Sequence, residues 1–441
     1  MDNTIPENLM IVNFIKSTSL IQKYSRHVIK MIVTIMTAMA VKGFTAKMTD
    51  IAEVAPCHRT TVSYFLSKSP WDEKPIKVFI MEESFNYIEN LSAETGIPIY
   101  VSHDDTVNPK TKPSSQASRP MEGTAFHHSH LLGKTVWGHQ VQATMISCGD
   151  IALVYDLHRY DNSDKAKSGD EKDKGGTAES TEVMANNGIN EGGSDKNGKT
   201  AKNKKGKANK NVKSKIAYAV ELIGCLPIPK VEAYFMADSW YSCDKIIDAC
   251  AARGYHYIGA LKTNRIIYPQ GIHISIADFA ANHIEENDVD LVTVKGHEYY
   301  VYRYEGKLNG IDNAVVILSW PRTAFKNPKA LRAFICTNVS LDTSTILEHY
   351  SGRWCIETFF SQVKDSLGFG KYQIRSTKGI ERLWTLMALF HLLCTIGLGK
   401  AMSFGEGQRL LRKKISEDKI VFIYKCAQKG IPLGDVLSTC A

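Results

Sequence analysis

Strand-like and helix-like segments alternate through the middle of this chain, and their order limits the folds open to it. Apolar or alternating runs predict five strands, at residues 97–103, 135–147, 150–157, 231–237 and 255–261. Amphipathic runs predict two helices, at 215–224 and 242–253. An order of three strands, helix, strand, helix and strand predicts an α/β fold in which helices flank a mixed sheet.

The alternation stops after residue 265. Residues 266–337 contain short strand-like runs separated by turns, which predicts a β-rich insertion. Residues 338–400 are helix-like again, and 401–441 are expected to form a mixed C-terminal tail. The apolar run at 383–399 includes Thr385 and His391 and has charged neighbours, which favours a buried core helix over a membrane span.

The N-terminal 90 residues predict an all-helical domain. Within it, residues 48–69 read as two short helices separated by a break at Ala55 and Pro56. The second helix would turn Arg59, Thr60 and Thr61 outward. This pattern is typical of a helix-turn-helix whose second helix enters a DNA groove. The alternative is an ordinary helical hairpin.

Residues 160–215 divide the predicted core into two parts. They are rich in charged and small polar residues, and such a composition cannot bury enough apolar surface to offset chain entropy. We therefore expect a disordered charged loop. Nine lysines between 196 and 215 exceed the whole net charge of +8. The basic pI of the chain is therefore weak evidence for nucleic-acid binding.

Cysteine spacing and the N-terminus indicate the compartment. The ten cysteines form no Cys-x-x-Cys pair, and the first residues lack a basic segment followed by an apolar core. We expect free thiols and a cytoplasmic protein, associated with the nucleoid when bound to DNA.

Acidic residues follow two of the predicted strands. Asp104 and Asp105 come directly after the strand-like run IPIYVSH, and Asp238 comes directly after VEAYFMA. Strand ends lie at the rim of a sheet, where functional sites form, so carboxylates from distant parts of the chain can meet there. The alternative is that each aspartate only caps a turn or a helix.

A third acidic residue lies in a predicted helix that begins near Thr343. Tyr350, Arg353, Glu357 and Lys364 have offsets that place them on one helix face. An ordinary ion pair between Arg353 and Glu357 is the simpler explanation. Two aspartates and a glutamate can instead hold two divalent cations for phosphoryl transfer, and oxygen ligands favour Mg²⁺ or Mn²⁺.

These residues resemble the DDE transposases of prokaryotic insertion sequences, in the subgroup with a Tyr-x2-Arg-x3-Glu-x6-Lys signature. The signature is complete in this chain. HDDT at 103–106 resembles the first aspartate motif, MADSWYS at 236–242 the second, and LKTNR at 261–265 the strand after it. The resemblance covers roughly residues 95–160 and 215–400.

The resemblance implies an RNase H-like core, divided into 91–265 and 338–400 by the β-rich insertion. It implies catalysis by Asp104, Asp238 and Glu357 with two Mg²⁺ or Mn²⁺ ions, and Asp105 is a further candidate ligand because adjacent carboxylates can share the duty. The DNA-contacting residues expected in this region are Tyr350, Arg353, Lys364, Lys262 and Arg265, and the helix-turn-helix pattern adds Arg59, Thr60 and Thr61.

The implied activity is cut-and-paste transposition. The protein would cleave double-stranded DNA at terminal inverted repeats and transfer the strands to target DNA, as a homodimer and without a membrane. Two alternatives stay open: a transposase-derived DNA-binding protein without activity, and an RNase H-like nuclease that hydrolyses DNA without strand transfer.

Overall fold

The structure is a computed structural model and describes residues 9–54, 57–114, 119–129, 133–161 and 213–440. Most of the charged segment predicted at 160–215 therefore lies outside the described residues, as does the Ala55-Pro56 break.

Six helices precede the first strand: α1 (Leu9–Ser17), α2 (Leu20–Lys23), α3 (Arg26–Ala40), α4 (Met48–Val54), α5 (Arg59–Ser67) and α6 (Lys74–Thr95). Helices α4 and α5 are the pair predicted for the helix-turn-helix. The apolar positions Val62, Phe65 and Leu66 of α5 are buried, and Arg59, Thr60 and Thr61 are exposed. The predicted division of this helix into an inner and an outer face is confirmed.

Twelve strands form one mixed sheet. They are β1 (Ile99–Pro109), β2 (Ala125–Ser129), β3 (Lys134–Cys148), β4 (Ile151–Tyr160), β5 (Ala233–Ala237), β6 (His256–Leu261), β7 (Ile266–Ile267), β8 (Ile274–Ser275), β9 (Asp290–Val294), β10 (His297–Leu308), β11 (Ile311–Pro321) and β12 (Arg332–Cys336). Their order is β2-β3-β1-β5-β6-β12-β11-β10-β7-β8, with β4 beside β3 and β9 beside β10. The β1–β5 and β5–β6 pairs are parallel, and the other pairs are antiparallel.

The remaining helices are α7 (Lys215–Cys225), α8 (Asp244–Ala252), α9 (Ile276–Asn282), α10 (Thr343–Ser351), α11 (Trp354–Ser366), α12 (Thr377–Thr395), α13 (Phe404–Gln428) and α14 (Leu433–Cys440). Three single 3₁₀ turns lie at 269–271, 286–288 and 322–324. The mixed sheet with flanking helices and the helical N-terminus confirm the predicted α/β, RNase H-like class.

The β-rich insertion extends the core sheet. Strand β12 pairs with core strand β6 through Ala333↔Leu261 to Cys336↔Ile258, and β11 and β10 continue from there. The segment also contains helix α9, which the strand-rich prediction missed. The insertion continues the core sheet because the edge of β6 would otherwise carry backbone N–H and C=O groups without strand partners.

The N-terminal helices share one buried hydrophobic cluster with helix α12. Nearly every residue of α12 is buried, as predicted for its apolar run, and α12 packs against α3, α5 and α6. Where a mixed tail was predicted, the described residues after 400 form helices α13 and α14; Ser403 and Glu406 make a capping box that starts α13. Among the described residues, no helix has both the length and the apolarity to cross a membrane.

Candidate active site

Strand register places Asp104 beside Asp238. Strands β1 and β5 run parallel and pair from Ile99↔Ala233 to His103↔Ala237. The next position on each strand is an aspartate, and neighbouring residues of paired strands point to the same face of a sheet. Asp104 and Asp238 therefore lie side by side. Asp238 directly follows the end of β5, as predicted, but the prediction that a strand ends before Asp104 is wrong, because β1 stays paired with β3 as far as Pro109.

The electrostatics of these aspartates reflect their closeness. Burial, and next the negative charge of Asp238, raise the pKa of Asp104 to about 7, although Arg353 opposes the shift. Burial also raises the pKa of Asp238, while the backbone N–H of Trp240 donates to its carboxylate at 2.9 Å. Two half-buried carboxylates therefore lie close together, and Arg353 offsets only part of their repulsion.

One face of β1 lies beneath α10 and α11. The hydroxyl of Tyr100 lies 2.9 Å from the imidazole of His349, and Lys364 donates to Thr106 Oγ1 at 2.7 Å. Alternate residues of a strand share a face, so Asp104, an even number of residues from both Tyr100 and Thr106, points toward the same helices. This face is therefore the one that meets Glu357.

Arg353 joins the strand carboxylate to the helix carboxylate. Its guanidinium donates to Asp104 Oδ2 at 3.0 Å and to Glu357 Oε1 at 2.5 Å. Burial by itself would lower the pKa of Arg353, but the phenol of Tyr350 and the two carboxylates raise it above its usual range. The buried Nε of Arg353 has no hydrogen-bond partner in the described part of the chain. The guanidinium is therefore fully charged and incompletely satisfied.

The prediction of one continuous signature helix is wrong. Helix α10 ends at Ser351, Gly352 and Arg353 form a turn, and α11 begins at Trp354. Gly352 suits this turn, since a Cβ there would lie in a tight contact 3.1 Å from the carbonyl oxygen of His349. The side chains of Tyr350 and Arg353 still meet across this turn, since the ring centre of Tyr350 lies 5.6 Å from the Arg353 guanidinium.

Asp105 faces the opposite side of the sheet from Asp104. Its carboxylate accepts hydrogen bonds from Gln140 at 2.6 Å and from Lys215 and Tyr241, each at 2.9 Å. Three donors satisfy it there. The structure thus places Asp104 beside Asp238, links Asp104 to Glu357 through Arg353, and directs Asp105 to the opposite face of the sheet.

Lys215 and Tyr241 are site residues that sequence reasoning missed. They lie 110 and 136 positions from Asp105 along the chain. No local pattern connects residues at such separations. The only available signals were the position of Lys215 at the end of the lysine run and that of Tyr241 three residues after Asp238.

The donor set fits a hard divalent cation in type and charge. Asp104 and Asp238 supply adjacent carboxylate oxygens, and Glu357 supplies another across the Arg353 guanidinium. Carboxylate oxygens are the ligands that Mg²⁺ and Mn²⁺ prefer. Within the described ranges, no group of three or more His, Cys, Asp or Glu residues is arranged closely enough to hold an ion as it stands. A cation at this site would therefore require Arg353 to release Asp104 or Glu357.

The other predicted DNA-contacting residues lie on three surfaces. Arg59, Thr60 and Thr61 occupy the exposed face of α5, whose buried face packs against α12. Lys262 follows β6 with its ammonium 5.0 Å from the ring centre of Trp240. Arg265 is half-buried and donates to the backbone carbonyl of Asn309 at 3.2 Å, which is a structural contact.

Comparison with protein families gives two matches. Residues 200–393 match the family described as "Transposase DDE domain", and residues 23–278 match "DDE superfamily endonuclease". No curated protein matches the chain. Because the second match spans more than half of the chain, and the first covers the region of Asp238 and Glu357, the chain belongs to the DDE superfamily of transposases and endonucleases.

Proposed function

We propose that this protein is a cut-and-paste transposase that cleaves DNA at the ends of a mobile element and transfers the strands to target DNA. The observation that carries the proposal is the register of β1 and β5, which sets Asp104 beside Asp238 on the face that α11 covers with Glu357. The match to a transposase DDE domain supports the same reading.

The three carboxylates are proposed as the ligands of two Mg²⁺ or Mn²⁺ ions. When bound, such ions supply the positive charge that activates the attacking oxygen and stabilises the leaving oxygen of a phosphodiester. Asp104 contributes most strongly once ionised, and its raised pKa makes that ionisation depend on pH near neutrality. Asp105 is proposed to hold β1 in position through its bonds to Lys215 and Tyr241 rather than to bind an ion.

The cationic groups around the carboxylates are proposed to hold the DNA backbone. Arg353 has an unpaired Nε, and Lys364 is half-buried at the end of the same helix-covered face. A phosphate accepts hydrogen bonds from a guanidinium in a bidentate manner and pairs with an ammonium as a point charge. Tyr350 packs against the guanidinium and would orient it.

The exposed face of α5 is proposed to recognise the terminal inverted repeats. Arg59, Thr60 and Thr61 are groups suited to base edges and phosphates. Because transposition acts on two DNA ends, we propose that two copies of the chain act together as a homodimer.

The deciding experiment uses duplexes copied from the genomic sequence on both sides of the gene, incubated with purified protein and Mg²⁺. Cleavage at defined positions and joining of the 3′ ends to a plasmid would support transposition. Cleavage without joining would indicate a nuclease, and binding without cleavage would indicate a DNA-binding protein without catalytic activity.

The matched control for this experiment compares two Glu→Gln substitutions. Glu357→Gln should abolish cleavage and leave DNA binding largely intact. Glu417→Gln, in an exposed lysine-paired position of α13, should change neither. Cleavage retained by Glu357→Gln would contradict the assignment.

A further inference from the structure

Trp240 is a large exposed aromatic side chain at the edge of the carboxylate site. Its side chain is 49% exposed, two residues after Asp238. Two ammonium groups flank the ring: the Nζ of Lys215 lies 5.4 Å from the ring centre and that of Lys262 lies 5.0 Å from it. We call Trp240, Lys215 and Lys262 the Trp240 platform.

The backbone of Trp240 and the side chain of Lys215 are anchored by hydrogen bonds. The backbone N–H of Trp240 donates to the Asp238 carboxylate, and Lys215 donates to Asp105 at 2.9 Å. The next residue, Tyr241, is fully buried and also donates to Asp105. A preorganised side chain loses little conformational freedom when it binds a ligand.

The lysines leave much of the indole ring open. In a close cation–π contact of this protein, Lys110 lies 3.6 Å from the ring centre of Tyr372. The lysines of the platform lie farther out, which fits the large exposed fraction of Trp240. An open aromatic face between two positive charges matches a nucleotide, whose base stacks on rings and whose phosphates attract ammonium groups.

We propose that the Trp240 platform binds an unpaired nucleotide of the DNA strand at the active site, with the base stacked on Trp240 and the neighbouring phosphate paired with the exposed Lys262, while Lys215 keeps its ion pair with Asp105. The proposal rests on the proposed function, because it takes DNA as the substrate. An unpaired base is required because bases inside a duplex are already stacked on their neighbours.

The test measures binding in EDTA, where no cleavage intervenes. Two duplexes of equal length are compared by fluorescence anisotropy, one blunt and one with a three-nucleotide single-stranded 3′ overhang. The wild-type protein should prefer the overhang duplex. Trp240→Ala should reduce that preference by at least about fivefold, the lower end of stacking on one base, and Trp240→Phe should keep most of it.

Two further variants complete the design. Tyr424→Ala removes an aromatic ring from α13 that is more exposed, at 62%, and should leave the preference unchanged. Lys262→Gln should lower the salt dependence of overhang binding by roughly one phosphate contact. A thermal unfolding curve that matches the wild type shows that Trp240→Ala is folded.

The outcomes separate this proposal from the proposed function. An unchanged preference in Trp240→Ala overturns the platform and leaves the transposase proposal standing. A wild-type protein that binds neither duplex contradicts both. If Trp240→Ala loses the preference for the overhang duplex but the wild-type protein does not cleave DNA in Mg²⁺, the platform is supported and the transposase proposal is not.

Discussion

Asp104 carries the strongest electrostatic conflict at the candidate site. Its carboxylate is largely buried and lies beside another carboxylate, so its pKa rises to about 7. A protein selected only for stability would place a neutral side chain here, because an ionised buried carboxylate next to a like charge destabilises the fold. Functional sites commonly retain such costs.

Asp104→Asn is therefore expected to stabilise the protein above neutral pH. The folded-state pKa lies above the unfolded value of about 4, so the folded state binds more protons between these two pH values. Wild-type stability should fall as pH rises from about 4 to about 7 through this group. Asparagine does not ionise, so the variant avoids this loss of unfolding free energy, which is up to about 4 kcal/mol when the pKa rises from about 4 to about 7.

Urea unfolding in EDTA at pH 5 and pH 8 measures this effect. The stability difference between Asp104→Asn and the wild type should be larger at pH 8. Equal differences at the two pH values would show that Asp104 does not titrate with a raised pKa.

Lys364 and Arg59 are expected to affect different steps. Lys364 lies on the site-facing side of α11, and burial lowers its pKa. Lys364→Ala should slow cleavage of bound DNA more than it weakens binding, because positive charge is needed where the transition state forms. Arg59→Ala should weaken end binding by about 1–3 kcal/mol if the contact is bidentate to a base, and leave the cleavage rate of bound DNA nearly unchanged.

Single-turnover cleavage and equilibrium binding, measured on the same duplexes, separate these two effects. If Lys364→Ala weakened binding while bound DNA was cut at the normal rate, the placement of Lys364 at the reacting phosphate would be wrong.

At the scale of elements, Arg382 ties the N-terminal helices to α12. Its side chain is fully buried and donates to the backbone carbonyls of Phe65, Leu66, Ser69 and Trp71. These carbonyls lie at and just beyond the end of α5, where helix carbonyls lack partners within the helix. The guanidinium also pairs with a carboxylate at the start of α6. One residue of α12 thus sets the position of α5.

Arg382→Met should cost roughly 3–5 kcal/mol, because it leaves Glu73 and several carbonyls without their partner. Chemical denaturation measures the loss. Arg409→Met, at an exposed position of α13, is the matched control and should lie within about 0.5 kcal/mol of the wild type. A similar small effect for Arg382→Met would show that water replaces the guanidinium.

At the scale of the whole molecule, the N-terminal helices and the sheet-covering helices form one core. Apolar residues of α3, α5 and α6 belong to the same buried cluster as those of α12. A chain that starts at residue 91 should therefore expose the apolar face of α12 and aggregate. Size-exclusion chromatography checks this, and a monodisperse, cooperatively unfolding fragment would contradict it.

Deletion of the charged segment should have the opposite result. Residues 162–212 lie outside the described residues, and their composition predicts that they add no core. The two stretches of chain that flank this segment lie close together, since the ring centres of Tyr160 and Tyr218 are 6.2 Å apart. Replacement of 165–210 by a short Gly-Ser linker should keep the wild-type melting temperature within a few degrees. In the intact chain, limited proteolysis should cut this segment first.

Much of the α/β architecture follows from local sequence. The apolar runs before Asp104 and Asp238 predict strands, because side-chain periodicity and breaker residues act over a few positions. The second strand ends where predicted, at Ala237, whereas β1 continues through Asp104 to Pro109 because it pairs with β3. The spacing of Arg353 and Glu357 likewise predicts their contact, since residues four apart face each other on a helix turn. These local patterns are sufficient to predict the fold class and the superfamily.

Tertiary structure alone decided how these parts meet. Adjacent aspartates are equivalent in sequence, but the pleat of β1 and its parallel register with β5 direct Asp104 toward Glu357 and Asp105 toward Lys215 and Tyr241. The pairing of β12 with β6, which joins the insertion to the core sheet, is likewise a contact between distant segments. Such contacts depend on which strands pair and on which faces pack, and local sequence patterns do not encode that choice.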